Sequence, residues 1–189
     1  MTDFSQDLDQ CLEVLAHGGI ILYPTDTVWG LGCDATNEDA VEKLIRLKGK
    51  SPNNGLIVIL AAERDILHYV TQPDLSVFDY LAEKPNPTTV IYKGGTGVAD
   101  NVLAMDGTIA IRLVKEEFCR HLVKRFRKPL VSTSANLHGR PTPGLYKEID
   151  EKIKESVDYI VQYRQEDTHV AAPSSIIKCN QDGTFTVIR

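Results

Sequence analysis

Residues 56–60 read Leu-Ile-Val-Ile-Leu, an apolar run with no polar break. A strand on a solvated sheet face alternates apolar and polar residues, so an unbroken run belongs to a strand buried on both faces. Both faces then have to be covered by helices, and the chain supplies them. Leu8, Cys11, Leu12 and Leu15 repeat at helical spacing until Gly18 and Gly19, which predicts a helix over residues 5–17. Asn37 is placed to cap a second helix, acidic in its first turn and basic in its last, as the helix dipole favours. Residues 62–70, 116–126 and 145–153 also carry helical patterns. Short strand-like runs lie between these segments, at residues 19–24, 88–93, 108–114, 129–132, 159–162, 174–179 and 184–189. Interleaving of this kind predicts α/β architecture: a single domain over residues 1–189, with a twisted mixed sheet and helices on its faces. The Gly-rich segment 93–101 reads as a loop and a mobile flap.

Several chemistries are excluded by what is not written. Gly49-Lys50-Ser51 has the ending of a phosphate-binding P-loop, but Leu44 stands where that motif needs its first glycine. There is no dinucleotide-binding glycine fingerprint, no His-Glu-x-x-His and no Gly-x-Ser-x-Gly nucleophile turn. Cys11, Cys33, Cys119 and Cys179 are scattered without pairing and read as buried free thiols, and the five histidines sit in no ligand spacing. Asp26 and Asp34 are the acids nearest the polar clusters, and no dedicated metal site is expected. No run approaches the roughly 20 apolar residues that span a bilayer, and the acidic N-terminus lacks a secretory pattern, so a cytoplasmic protein without membrane contact is expected. The net charge of −5 argues against wholesale coating by nucleic acid. Even so, Arg112, Lys115, Arg120, Lys124, Arg125, Arg127 and Lys128 gather in one segment, either as a solvated helix face or as a patch for phosphate or RNA.

What the chain does write is polar groups just past its strands. Pro24-Thr25-Asp26-Thr27 follows the first strand, Lys48, Lys50, Asn53 and Asn54 follow the second helix, and Thr108 and Arg112 bracket another strand. Ser132-Thr133-Ser134-Ala135-Asn136 follows a further strand, at residues 129–132. Ligands of open α/β sheets bind outside strand ends, where loop hydroxyls and helix termini converge. Cations and small donors without a nucleophile suit phosphate chemistry, in which the protein positions reactants and neutralises spread charge.

These stretches carry a resemblance. Residues 23–60, with Gly-Thr-Ile-Ala-Ile-Arg-Leu at 107–113, Pro-Leu-Val-Ser-Thr-Ser-Ala-Asn at 129–136, Pro-Ser-Ser-Ile-Ile at 173–177 and the terminal Val-Ile-Arg, resemble the YrdC family, the threonylcarbamoyl-AMP synthases of transfer RNA modification. The resemblance implies one α/β domain with a large concave cleft, and a reaction joining L-threonine, bicarbonate and ATP into threonylcarbamoyl-adenylate and pyrophosphate. It implies threonine at Thr25, Arg112, Ser132 and Ser174. It implies ATP, carrying its own Mg²⁺, at Lys48, Lys50, Asn54, Thr108, Ser134, Asn136, Thr142 and Arg189, with Lys48, Lys50 and Arg189 neutralising charge in catalysis. A downstream threonylcarbamoyl-transferase complex is the implied partner, and transfer RNA or double-stranded RNA the other; a family paralogue acting as an RNA-binding module is the alternative reading. Three positions depart from the pattern: Lys50 stands in place of Arg, Ile59 where some members have His, and residues 84–89 replace a Trp-Pro-Gly-Pro loop.

Overall fold

The computed structural model describes residues 4–49, 55–84, 86–180 and 183–189. Its helices are α1 (Ser5–Ala16), α2 (Glu38–Lys48), α3 (Ser76–Ala82), α4 (Glu117–Phe126) and α5 (Glu151–Glu155). Its strands are β1 (Ile21–Tyr23), β2 (Gly30–Asp34), β3 (Ile57–Leu60), β4 (Thr88–Tyr92), β5 (Ile109–Leu113), β6 (Leu130–Ser134), β7 (Tyr159–Ile160), β8 (Ser175–Cys179) and β9 (Phe185–Val187). Among the described residues the nine strands form one sheet in the order β7-β1-β2-β6-β3-β5-β4-β8-β9. The sheet is mixed: β1 with β7, β3 with β5 and β4 with β8 run parallel, and the other neighbours antiparallel. The expected α/β class and mixed sheet are thereby borne out. No helix among the described residues is long and apolar enough to cross a membrane.

Alternation along the strands sends side chains to two different cores. Leu22, Leu31, Val58, Val90, Ile111, Val131 and Ile177 face one way, into a large cluster that includes Val41 and Leu44 of α2. Ile21, Tyr23, Ile59 and Leu130 face the other way, under Leu8, Cys11 and Leu15 of α1 and Phe118, Leu122 and Val123 of α4. Asp7 anchors α1 from a buried position, accepting hydrogen bonds from the Tyr159 hydroxyl at 2.7 Å and from the amides of Gln162 and Tyr163 at 3.0 and 2.9 Å. On α2, the Asn37 side chain accepts from the Ala40 amide at 3.1 Å, and Gly49 closes the helix at φ 64°, a left-handed conformation that glycine adopts without strain.

Sequence patterning departs from the structure in four places. Residues 63–68 form a 3-10 helix rather than an α-helix, and the segment 145–153 divides into a 3-10 turn at Tyr146–Glu148 followed by α5. The short α3 and the strand β2 carry no clear signal, because β2 reads Gly-Leu-Gly-Cys-Asp, a composition poor in strand formers. Pairing on both flanks, to β1 and β6, makes it a strand. All four cysteines are free and buried.

Candidate functional site

Helices α1 and α4 cover only part of their sheet face. Beyond them the same face bears smaller or polar side chains: Gly30 on β2, Ser132 and Ser134 on β6, Ala110 and Arg112 on β5. A cavity of about 380 Å³ opens there, with Ile57, Ile91 and Ile176 as its apolar floor. Its walls contain eight residues expected from sequence: Thr25, Thr108, Arg112, Ser132, Ser134, Thr142, Ser174 and Arg189. The volume lies in the usual range for small-molecule sites. Glycine at position 30 is part of the design: a Cβ there would stand 3.2 Å from Ser132 Oγ and 3.3 Å from Thr25 Cγ2, narrowing the cavity.

At one end the turn after β1 is locked by its own hydroxyls. Thr25 Oγ1 donates to the Val28 carbonyl at 2.8 Å and accepts from the Thr27 amide at 3.0 Å and the Thr27 hydroxyl at 2.9 Å. The Thr25 hydroxyl hydrogen and both its lone pairs are therefore used inside the turn, and what Thr25 offers the cavity is its methyl group. Behind the turn, Arg112 and Asp26 form a buried ion pair, Nη2 to Oδ1 3.3 Å, with side chains 5% and 8% exposed. The approach lacks hydrogen-bond alignment, and Arg112 Nε also has no partner among the described residues, so this guanidinium has donor capacity to spare in a dry setting. Arg164 braces the same turn, donating to the Thr25 carbonyl at 3.1 Å and to Asp167 Oδ2 at 2.6 Å, with Glu116 Oε1 3.7 Å away. Cys119 adds a further tie, its thiol donating to the Pro24 carbonyl at 3.2 Å; burial holds its pKa well above that of an ordinary thiol, so it stays a donor.

At the opposite end Lys48 and Asn136 stand outside the cavity wall and organise it. Lys48 is buried, and its Nζ donates at 2.5 Å to the carbonyls of both Ser134 and Asn136, with Asn136 Oδ1 at 3.3 Å. Ser134 Oγ donates to Asn136 Oδ1 at 2.5 Å, and the Asn136 amide donates to the carbonyls of Leu137 and Arg140 at 3.1 and 2.8 Å. One ammonium and one carboxamide thus fix the loop that follows β6. Asn136 and Thr142 also line an adjoining depression of about 440 Å³ that includes Arg140. Thr108 hydrogen-bonds Asp106 with its hydroxyl at 2.7 Å and its amide at 3.1 Å, which holds the Asp106 carboxyl below the usual carboxylate range. On the far wall Ser174 Oγ lies 2.9 Å from Thr89 Oγ1, and its carbonyl accepts from Arg189 at 3.1 and 3.3 Å. Lys50 and Asn54 lie outside the described residues. Ile59 packs under the helices, among α1 and α4 side chains.

Sequence reading passed over Tyr23, Glu116 and Arg164, whose partners lie far along the chain. It also passed over the apolar floor, which Ile57 of β3, Ile91 of β4 and Ile176 of β8 supply. No group of three or more His, Cys, Asp or Glu side chains among the described residues is placed to share a metal ion.

A hydroxyl-lined cavity on the uncovered half of the sheet face, with Arg112 and Arg189 in its walls, is a candidate small-molecule site of an α/β fold. A family model covering Sua5, YciO and YrdC, described as "Telomere recombination", matches residues 13–189, and the chain belongs to this family. A relative from Idiomarina loihiensis named threonylcarbamoyl-AMP synthase is 39% identical over 146 residues, 76% of this chain and 78% of its own. E. coli YciO superposes with TM-score 0.83 at 24% identity, covering 97% of this chain and 88% of that one. P. abyssi Sua5 complexed with L-threonine superposes with TM-score 0.81 at 22% identity; this chain is covered to 97% and spans 54% of that longer chain.

Proposed function

We propose that this chain is a threonylcarbamoyl-AMP synthase, a nucleotidyltransferase that joins L-threonine, bicarbonate and ATP into threonylcarbamoyl-adenylate and pyrophosphate. The observation that carries this reading is the convergence of Arg112, Ser132, Ser174, Ser134, Thr108 and Arg189 on one cavity. Its relatives' name and the L-threonine bound in a structural neighbour support it. Threonine nitrogen adds to the bicarbonate carbon with loss of water, giving a carbamate. A carbamate oxygen then attacks the α-phosphorus, and the bond to pyrophosphate breaks as the new P–O bond forms.

Arg112 would take the threonine carboxylate, for which a guanidinium is the natural partner, with Thr25, Ser132 and Ser174 around the amino acid. Thr108, Ser134, Thr142 and Arg189 would surround ATP, together with Lys50 and Asn54. Lys48 and Asn136 would act there by holding the loop after β6 and by adding positive charge behind it. Catalysis on this reading is proximity plus charge neutralisation by Lys48, Lys50 and Arg189. The donor set is hydroxyls and cations, which fits a triphosphate that brings Mg²⁺ with it; the metal would neutralise phosphate charge. A downstream threonylcarbamoyl transferase acting on transfer RNA would consume the labile adenylate.

The test is pyrophosphate release by the purified protein with L-threonine, bicarbonate and ATP, each omitted in turn, and with serine in place of threonine. Release that requires all three and prefers threonine is expected; release indifferent to threonine, or none, would overturn the reading.

A further inference from the structure

Tyr23 stands at the border between the helix-covered half of the sheet face and the cavity, and its phenol is fully buried. Its ring packs against β2 at Gly32, where a Cβ would come within 2.8 Å of Tyr23 Cε1. A glycine at position 32 is what allows the ring to reach across β2 toward β6. There the hydroxyl donates to Ser132 Oγ at 2.8 Å, in a geometry that suits Tyr23 as the donor. Burial pushes the Tyr23 phenol well above its ordinary pKa, so the hydrogen stays on the tyrosine.

A serine hydroxyl has one hydrogen and two acceptor lone pairs. Because Ser132 receives the Tyr23 hydrogen, its own hydrogen must point elsewhere. Three neighbouring wall hydroxyls spend their hydrogens inside the protein: Thr25 donates to Val28, Thr108 to Asp106 and Ser134 to Asn136. The Ser132 hydrogen has no acceptor among the described residues, and Ser132 lines the cavity. We propose that Tyr23 is a positioning residue for the amino-acid substrate: by donating to Ser132 it turns the Ser132 hydroxyl into a fixed donor aimed into the cavity, selecting a substrate oxygen as acceptor. Without the phenol hydroxyl, Ser132 would be free to rotate its hydrogen away. This proposal rests on the synthase reading.

The experiment is a double-mutant cycle of Tyr23→Phe and Ser132→Ala, reading kcat and the KM for threonine and for ATP separately, with thermal unfolding as a check on folding. Ser132→Ala should raise the threonine KM about 10-fold or more, the loss of one hydrogen bond to a charged or strongly polar oxygen. Tyr23→Phe keeps the ring in place and should raise the threonine KM roughly fivefold to tenfold, with kcat and the ATP KM within about twofold. The double variant should match Ser132→Ala alone. A Tyr23→Phe protein with unchanged threonine KM, one in which threonine and ATP suffer alike, or a double variant whose effect is the product of the two singles would each overturn the proposal. If Tyr23→Phe does not fold, Ser132→Ala with an unchanged threonine KM overturns it equally. Failure of the synthase reading is seen separately, as wild-type protein that releases no pyrophosphate in response to threonine.

Discussion

One sheet face carries two regions of opposite character. Under α1 and α4 it presents Ile21, Tyr23, Ile59 and Leu130; beyond the helices it presents Gly30, Ser132, Ser134, Ala110 and Arg112. Strands β3 and β6 both cross the boundary: Ile59 and Leu130 are core, while Ile57 and Ser132, each two residues and about 7 Å along on the same face, line the cavity. The backbone ladder is continuous through both regions, to β2 at residues 130–134 and to β3 at 130–131. What separates a structural half from a functional half is therefore side-chain size and polarity at alternate positions, together with where two helices stop.

Substitutions should divide along that boundary, and the largest effect is expected where the two regions meet energetically. Arg112→Ala should cost about 3–5 kcal/mol of stability, because Asp26 is left buried without its cation. It should also raise the threonine requirement more than the ATP requirement. Adding Asp26→Ala should restore much of the melting temperature and none of the threonine use, and recovery of both would assign Arg112 a structural role alone. In the covered half, Leu130→Ala should lower stability by about 2–5 kcal/mol in chemical denaturation while the folded fraction keeps its threonine KM. A change in that KM would blur the division.

Smaller effects are expected from the groups that hold the loop after β6. Lys48→Ala removes charge-assisted hydrogen bonds to the Ser134 and Asn136 carbonyls but also relieves the burial of an ammonium, a net loss of about 1.5–3 kcal/mol, and steady-state kinetics should show the ATP KM rising more than the threonine KM. Ser134→Ala loses a neutral hydrogen bond to Asn136, about 1 kcal/mol, and should weaken nucleotide use with little change in unfolding temperature. Equal effects of Lys48→Ala and Arg112→Ala on both substrates would contradict a cavity with separate amino-acid and nucleotide ends.

Much of this division was legible in the sequence. The unbroken apolar run at residues 56–60 placed β3 in the interior, and the abrupt change from Leu130-Val131 to hydroxyl residues marked the strand end that faces the cavity. Strand β2 was not legible, because its glycines answer to the Tyr23 ring and to the open cavity rather than to strand propensity. The braces of the site were hidden for a different reason. Asp26 meets a residue 86 positions away on β5 (112 − 26), and Arg164 reaches a carbonyl 139 positions back, so local periodicity carries no trace of either. Residues 63–68 show the limit of periodicity in the other direction, since the same apolar spacing serves a tighter 3-10 helix.

The most direct test of the account is a crystal structure with L-threonine and a non-hydrolysable ATP analogue. The account predicts threonine in the uncovered half of the sheet face, its carboxylate on Arg112 and one of its oxygens accepting from Ser132, with the nucleotide toward Ser134 and Arg189. Threonine bound away from Arg112, or nucleotide held in the basic depression of Arg64, Lys124 and Arg127 with the cavity empty, would contradict it.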